Sequence, residues 1–320
     1  MTWSNQSLIE SNYKYMKIFL AGHKGLVGSA IHRKLIEKKY KKIITIDKKK
    51  LNLLDQGKVF KFLKKNKPDV VIIAAAKVGG IYHNSINGAD FIYENLQIQN
   101  NLIHGSFKNK VKRLLFLGSS CIYPKFSKQP IKEKYLLSGK LEETNYPYAT
   151  AKIAGVKMCE AYNDQYKTNF TCLMPANTYG PNDNYHSLNS HFFPALIKRA
   201  HDCKIKKKKY LKVWGSGKPF RELIFVDDVA DACIYFMNKK TKSSLINIGT
   251  GKDMSIKQYA NFLIKKLKLK VQIRFDKSKP DGVPKKLLDT TLAKKYGWKS
   301  KISLDKGFGI TYKSFLENNK

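Results

Sequence analysis

Two hydrophobic rhythms alternate along the chain. Uninterrupted apolar runs, KIFLAG (17–22), KKIITID (41–47), PDVVIIAAA (68–76) and KRLLFLGSS (112–120), are separated by stretches whose apolar residues recur at helical spacing. A strand that is apolar at every position is buried on both faces, and a parallel sheet covered by helices on both sides buries both. The first half therefore predicts a doubly wound parallel α/β sheet. The order continues with a helix, YATAKIAGVKMCEAYNDQY (148–166), and a strand, NFTCLMPANTYG (169–180), that runs into a Gly-Pro loop. Beyond this loop the regularity weakens. RELIFVDDVADACIYFM (221–237) and SLINIGTG (244–251) read as elements returning to the sheet, and the tail alternates the helix SIKQYANFLIKKLK with VQIRF and KPDGVPKK. The expected organisation is an N-terminal extension (1–16), a dinucleotide-binding domain (17–180 plus about 220–250) and a smaller substrate domain (about 181–219 plus 251–320), with the site in the crevice between them.

Composition narrows the class. A chain of 320 residues, 42% hydrophobic and 27% charged, can bury a substantial core, which excludes a disordered chain or a small binding module. No apolar run reaches the roughly 18 to 20 residues of a membrane span, and the polar N-terminus lacks the pattern of a secretory signal, so a cytoplasmic protein without membrane contact is expected. The five cysteines (121, 159, 172, 203, 233) show no CxxC spacing, which predicts reduced thiols and no metal site. A net charge of +37 raises the question of nucleic acid. Only five of the 61 basic residues are arginine, however, and the lysines are dispersed rather than striped, so a lysine-rich solvated surface is the better reading.

Gly22, Gly25 and Gly28 stand as GxxGxxG between the first strand and the first helix. In that context the glycines close a tight turn, let backbone approach a pyrophosphate and aim a helix N-terminus at it. Residues Gly22, His23, Lys24, Gly25, Leu26, Val27 and Gly28 are thus the candidate phosphate cradle. The second strand ends in Asp47, Lys48, Lys49 and Lys50. An acid there suits a ribose 2′-hydroxyl, whereas a cation such as Lys48 suits a 2′-phosphate. Asn52 and Leu53 sit where an adenine edge would be held, or simply cap a loop.

Tyr148 and Lys152 lie four positions apart on one helix face, after Pro147. An ammonium beside a phenol favours proton transfer near neutrality. Their weight comes from position, since the preceding strand ends in Ser119 and Ser120, and open parallel sheets bind ligands at such ends. With the glycine loop, LGSSCIYPK, YATAKIAG, NSHFFPALI, VWGSGKPFRE, VDDVA and SKPDGVPKKLLD, the chain from about residue 17 onward resembles the extended short-chain dehydrogenase/reductase family. Within it, the similarity is to the branch that epimerises GDP-4-keto-6-deoxy-D-mannose at C3 and C5 and reduces it at C4, giving GDP-L-fucose.

That resemblance implies a Rossmann-type fold, NADPH as cofactor, a GDP-sugar substrate and a homodimer. By the same resemblance Ser119 binds the C4 carbonyl, Tyr148 protonates its oxygen, and Lys152 orients the nicotinamide ribose. Cys121 and His191 are the epimerising acid and base, and Pro175, Asn177 and His191 line the cofactor. Arg199, Trp214, Arg221 and, more weakly, Asp281 hold the GDP group. The chemistry asks for such a pair, because the C3 and C5 hydrogens flank a ketone, so one group must remove a proton and another return it on the opposite face. Asp47 departs from the pattern expected for NADPH. Two alternatives stay open: a nucleotide-sugar 4-epimerase or 4,6-dehydratase on the same scaffold, and a nucleotide-sensing or RNA-binding protein without catalysis. Dehydratases of the family place an acidic pair where this chain has Cys121 and Ile122.

Overall fold

The computed structural model describes residues 14–186, 189–279 and 281–318; most of the predicted N-terminal extension, residues 1–13, lies outside them. Six parallel strands, β1 (Lys17–Ala21), β2 (Lys42–Ile44), β3 (Val70–Ile73), β4 (Arg113–Leu117), β5 (Phe170–Pro175) and β9 (Leu245–Ile248), form one sheet in the order β2-β1-β3-β4-β5-β9. The helices that flank it are α1 (Leu26–Glu37), α2 (Gln56–Asn66), α3 (Ile81–Ile86), α4 (Gly88–Lys108), α5 (Tyr146–Tyr166) and α7 (Val226–Met237). All four residues of β3 are completely buried, as the unbroken VVII run requires. Each such side chain contributes roughly 1.5–3 kcal/mol of burial. The chain leaves β1 toward β2, then returns to the other side of β1 as β3. That reversal opens a crevice at the carboxyl ends of β1 and β3, where open α/β sheets bind ligands.

A second hydrophobic cluster gathers Phe193, Leu196, Ile197, Leu211, Val213, Tyr259 and Leu263. It is built by α6 (Phe192–Ile205), α8 (Ile256–Leu267) and α9 (Leu304–Asn318) around the small strands β6 (Asn177–Tyr179), β7 (Tyr210–Trp214), β8 (Phe220–Phe225), β10 (Asp253–Ser255), β11 (Gln272–Asp276) and β12 (Lys285–Lys286). Here two expectations are corrected. The run NFTCLMPANTYG is not one strand: β5 stays in the large sheet, whereas β6 pairs with β8. Likewise RELIF does not rejoin the large sheet, since β8 pairs with β6, β10 and β12, and only α7 and β9 after it return. The apolar run was a sound strand signal, but periodicity carries no information on which sheet a strand joins.

Glu222 ties these strands together. It is completely buried on β8, and its carboxylate accepts hydrogen bonds from the backbone N–H of Thr250 (2.5 Å), Gly251 (2.7 Å) and Leu288 (2.8 Å). A Cβ at Gly249 would collide with this carboxylate, so glycine there lets the loop close on it. Burial pushes the Glu222 carboxyl up and the three N–H groups hold it down. Replacing Glu222 with Ala strands those donors at about 1–3 kcal/mol each; urea denaturation of Glu222→Ala is expected to show a loss of about 3 kcal/mol or more.

Candidate active site

The glycine loop fits a dinucleotide. Gly22 adopts φ +89°, and a Cβ on it would meet the Ala75 backbone nitrogen at 2.5 Å, while one on Gly28 would collide with the Gly22 carbonyl oxygen. Both glycines are therefore demanded by close packing of β1, the loop and α1. Gly25, the N-cap of α1, is different. A Cβ there would meet only the Gly22 oxygen, at 3.7 Å, so its glycine leaves the helix N-terminus open to a phosphate. The buried Nδ1 of His23 has no hydrogen-bond partner among the described residues.

Asp47 is neutralised in place. Its carboxylate lies 2.7 Å from Lys24 Nζ and 3.5 Å from His23 Nε2, and the hydrogen bond from Lys24 is the first cause of its lowered pKa. Lys48, Lys49 and Lys50 stay exposed beside it. The acid that argued against a 2′-phosphate thus has its charge turned into the loop. Asn52 behaves as a cap, its Oδ1 accepting from Leu54 N at 3.1 Å, and Leu53 is half-buried with its carbonyl bonded to Asn101.

Beyond β4, Ser119 caps a single 3-10 turn over Ser120–Ile122, its hydroxyl accepting from Cys121 N at 3.4 Å. Opposite, Pro147 sits in the first turn of α5 and sets Tyr148 and Lys152 one helical turn apart. The Lys152 ammonium donates to the Leu117 carbonyl at 2.8 Å and lies 4.6 Å from the Phe116 ring centroid and 5.9 Å from that of Tyr148. Burial lowers Lys152 to about 8. Burial also raises the Tyr148 phenol well above its usual value, with the nearby Cys121 adding to the rise and the Ser119 hydroxyl opposing it. The expectation that Lys152 depresses the phenol is not met here: burial dominates, and the phenol keeps its proton. Cys121, 7% exposed, is likewise pushed up by burial, opposed by Lys286, Ser119 and Lys152.

The far wall carries the remaining candidates. His191 is the exposed N-cap of α6, and desolvation by the surrounding protein and then Lys286 lower its pKa. The segment leading to it is joined to the loop after β3 by Gly80 N donating to the Asn189 oxygen at 3.0 Å. Pro175 and Asn177 flank the point where the chain leaves one sheet for the other. The Arg199 guanidinium stacks 4.3 Å from the Trp214 ring centroid. Arg221 is fastened to the 281–283 loop by bonds to the carbonyls of Val283 (2.6 Å) and Asp281 (3.3 Å). Asp281 itself spends both carboxylate oxygens on Ser216, N and Oγ at 2.7 Å each, so it secures the loop after Trp214 rather than offering a free acid.

Sequence reasoning passed over several residues that shape this pocket. Asn95 clamps Lys77, in the loop after β3, by bonds to both its N–H and its carbonyl at 3.0 Å. Asn247 accepts from the Tyr123 hydroxyl at 2.6 Å and donates to the Ile131 carbonyl at 2.9 Å, which fixes the segment after Cys121. Glu222 was visible as an acid inside an apolar strand; Lys286 was hidden among 61 basic residues.

A parallel sheet with a glycine cradle at its switch point and a tyrosine-lysine pair beside the next strand end defines a nucleotide-dependent oxidoreductase of the short-chain dehydrogenase/reductase class. More narrowly, the chain belongs to the NAD dependent epimerase/dehydratase family, whose model matches residues 18–249. It is 48% identical over 311 residues to the GDP-L-fucose synthase of Escherichia coli (strain K12), covering 94% of this chain and 97% of that protein. Among solved structures it is similar to a GDP-6-OMe-4-keto-L-xylo-heptose reductase from C. jejuni, with a TM-score of 0.89, 37% identity and 96% and 99% of the two chains covered. A GDP-mannoheptose C4 reductase from Campylobacter jejuni, solved with NADP bound, aligns with a TM-score of 0.86 and 38% identity over 95% of this chain and 99% of that one.

Lys152 carries its charge below about pH 8 and loses it above. Reductive turnover is therefore expected to be flat toward neutrality and to fall about tenfold per pH unit above that value; a kcat/KM profile across pH 6 to 10 reads the midpoint.

Proposed function

We propose that this protein converts GDP-4-keto-6-deoxy-D-mannose to GDP-L-fucose, epimerising C3 and C5 and reducing C4 with NADPH. The observation that carries the reading is the meeting of Ser119, Cys121, Tyr148 and Lys152 in one desolvated pocket at the end of β4. The relatives' names supply the product, GDP-L-fucose, and the 2′-phosphate is accommodated by exposed Lys48 beside a paired Asp47.

Epimerisation comes first because it needs the ketone. Cys121, as thiolate, takes a proton from C3 or C5; the C–H electron pair moves onto the C4 oxygen, where the Ser119 hydroxyl and the Tyr148 phenol donate hydrogen bonds to the enolate. Protonated His191 returns a proton to the opposite face of the same carbon. Its exposed position lets it recover that proton from solvent, the Cys121 thiol gives up the proton it took and returns to thiolate, and repetition then inverts the second carbon. Reduction then uses the hydride that NADPH supplies to C4. Tyr148 gives its proton to the resulting oxygen, which its raised pKa suits, and charged Lys152 beneath it steadies the phenolate left behind. Gly22 to Gly28 would hold the pyrophosphate, Tyr148 and Lys152 the nicotinamide ribose, with Pro175, Asn177 and His191 along the nicotinamide. Arg199, Trp214 and Arg221 would grip the GDP, in keeping with arginine's fit to phosphate and stacking.

The proposal extends to a cytoplasmic homodimer. Neighbouring α4 and α5 leave Tyr93, Tyr146 and Tyr166 at 62%, 57% and 47% exposure, an aromatic surface suited to a second copy. The free state of all five cysteines supports a reducing compartment.

Loss of the proton donor and loss of the carbon base have different signatures. Tyr148→Phe is expected to abolish detectable NADPH oxidation with the keto-sugar while NADPH binding persists. Cys121→Ser is expected to reduce the ketone slowly without inverting it, because a hydroxyl is far less acidic than a thiol, so ring proton couplings in the NMR spectrum of the product identify the unepimerised sugar. A fully inverted product at the parent rate from Cys121→Ser would assign the proton transfer elsewhere. For the cofactor, kcat/KM is expected to favour NADPH over NADH, and Lys48→Ala to narrow that preference several-fold.

A further inference from the structure

The loop after β3 links the two groups that deliver protons, although neither stands on it. It ends at Gly80, the N-cap of α3, and it is fastened along its length. Asn95 on α4 holds the N–H and the carbonyl of Lys77, whose ammonium donates to Glu94 at 2.6 Å and to Asp90 at 3.1 Å. Buried Asn84 donates to the carbonyls of Gly79 at 2.8 Å and Gly80 at 3.0 Å. A backbone paired at that many points is a fixed reference for whatever packs on it.

On one side the contact is Phe91. Its buried ring meets the Tyr148 ring edge to face, with centroids 6.2 Å apart and planes at 88°, and a Cβ added at Gly79 would come within 3.1 Å of the same Phe91 ring. On the other side the contact is Gly80. Its N–H donates to the Asn189 carbonyl at 3.0 Å, and a Cβ on it would stand 2.7 Å from the Ser190 carbonyl oxygen. Ser190 is the residue before His191. The Gly80 backbone, at φ −70° and ψ 177°, is extended and open to any residue, so conformation does not demand glycine here. What demands it is close approach to a backbone atom, which cannot swing aside as the end of a side chain can.

We infer that Gly80 is a positioning residue for His191, and that the loop it closes fixes the proton-returning group relative to Tyr148. This rests on the assignment of His191 as the acid that returns a proton to carbon. The two groups address neighbouring atoms of one sugar, His191 the carbons beside the ketone and Tyr148 its oxygen. A misplacement of about 1 Å can cost about a hundredfold in rate. A side chain at Gly80 displaces the backbone of Asn189 and Ser190 and carries His191 with it, while Phe91, Tyr148 and Lys152 keep their places. Inversion then fails and hydride transfer does not.

The test reads the two transfers separately in full-length Gly80→Ala. Formation of the inverted, deuterated keto-sugar in deuterated water, with NADP present because it cannot reduce the ketone, reports the transfers on carbon. Oxidation of GDP-L-fucose by NADP reports the other, since hydride leaves C4 for the nicotinamide and the hydroxyl proton passes to Tyr148. Gly80→Ala is expected to slow inversion about tenfold or more and to leave the oxidation within about twofold, with NADPH affinity unchanged. The ring resonances of His191, assigned by their loss in His191→Ala, are expected to move in Gly80→Ala while those of His32, His104 and His201 stay. Inversion at the parent rate, an equal fall in both rates, or an unmoved His191 resonance would overturn the inference. Should Gly80→Ala not fold, Asn84→Ala, which releases the carbonyls of Gly79 and Gly80 without adding an atom, is read by the same criteria. If His191→Ala itself inverts the sugar at the parent rate, the assignment of the acid is what fails, and the His191 resonance alone then decides whether Gly80 positions it.

Discussion

Desolvation at the end of β4 governs everything this protein does. Cys121 and Lys152 are buried and Tyr148 is half-buried beside them, so the thiol and phenol are pushed up and the ammonium is pulled down to about 8. Left in water, the phenol and the ammonium would both titrate near 10, too far from neutrality for one to relay protons under the control of the other. Enclosed, the phenol becomes a dependable donor and the lysine a charge that can be switched. The same enclosure makes any unpaired charge costly, and that is why Lys152 and Arg221 are held by backbone carbonyls.

The enclosure is made by two sheets that share connections rather than by one domain folding over another. The chain passes from β5 to β6 within two residues, from the large sheet to the small one, with Pro175 and Asn177 at the crossing. Glu222 binds β8 to the loop after β9 and to the strand end after Lys286, and Asn247 on β9 holds the segment that follows Cys121. Each clamp is a buried polar side chain whose groups are paired with backbone and, for Asn247, with the Tyr123 hydroxyl, the arrangement that fixes a unique geometry instead of merely adding stability. Stability and chemistry are therefore coupled: loosening Glu222 would both cost folding energy and release the strand paired with Arg221.

Much of this was legible in the residues. Unbroken apolar runs such as VVII announced a sheet buried on both faces, and glycines at 22 and 28 announced a close turn that the packing indeed requires. The Tyr148 and Lys152 spacing predicted that the two share one helix face, and on α5 they stand one turn apart with the ammonium 5.9 Å from the phenol ring centroid. What stayed hidden depended on tertiary partners. RELIF was read with the residues after it as returning to the large sheet, but its sheet is chosen by pairing with β6, β10 and β12, which no local pattern encodes. Asp47 looked like an obstacle to a 2′-phosphate until its carboxylate was seen paired with Lys24. Lys152 was expected to depress its neighbouring phenol, whereas the phenol is pushed up by desolvation and by Cys121. Gly80 gave no local sign of its role, because the backbone that leaves no room for a Cβ comes from Ser190, far along the chain.

The central claim is that a single desolvated pocket moves protons on carbon and then on oxygen, with solvent as the proton source for the first and the cofactor as the hydrogen source at C4. It is tested most directly by running the parent enzyme in deuterated water with unlabelled NADPH and locating every hydrogen of the product by NMR. The account predicts deuterium at C3 and C5 and protium at C4. Deuterium at C4, or protium retained at C3 and C5 of an inverted sugar, would contradict it.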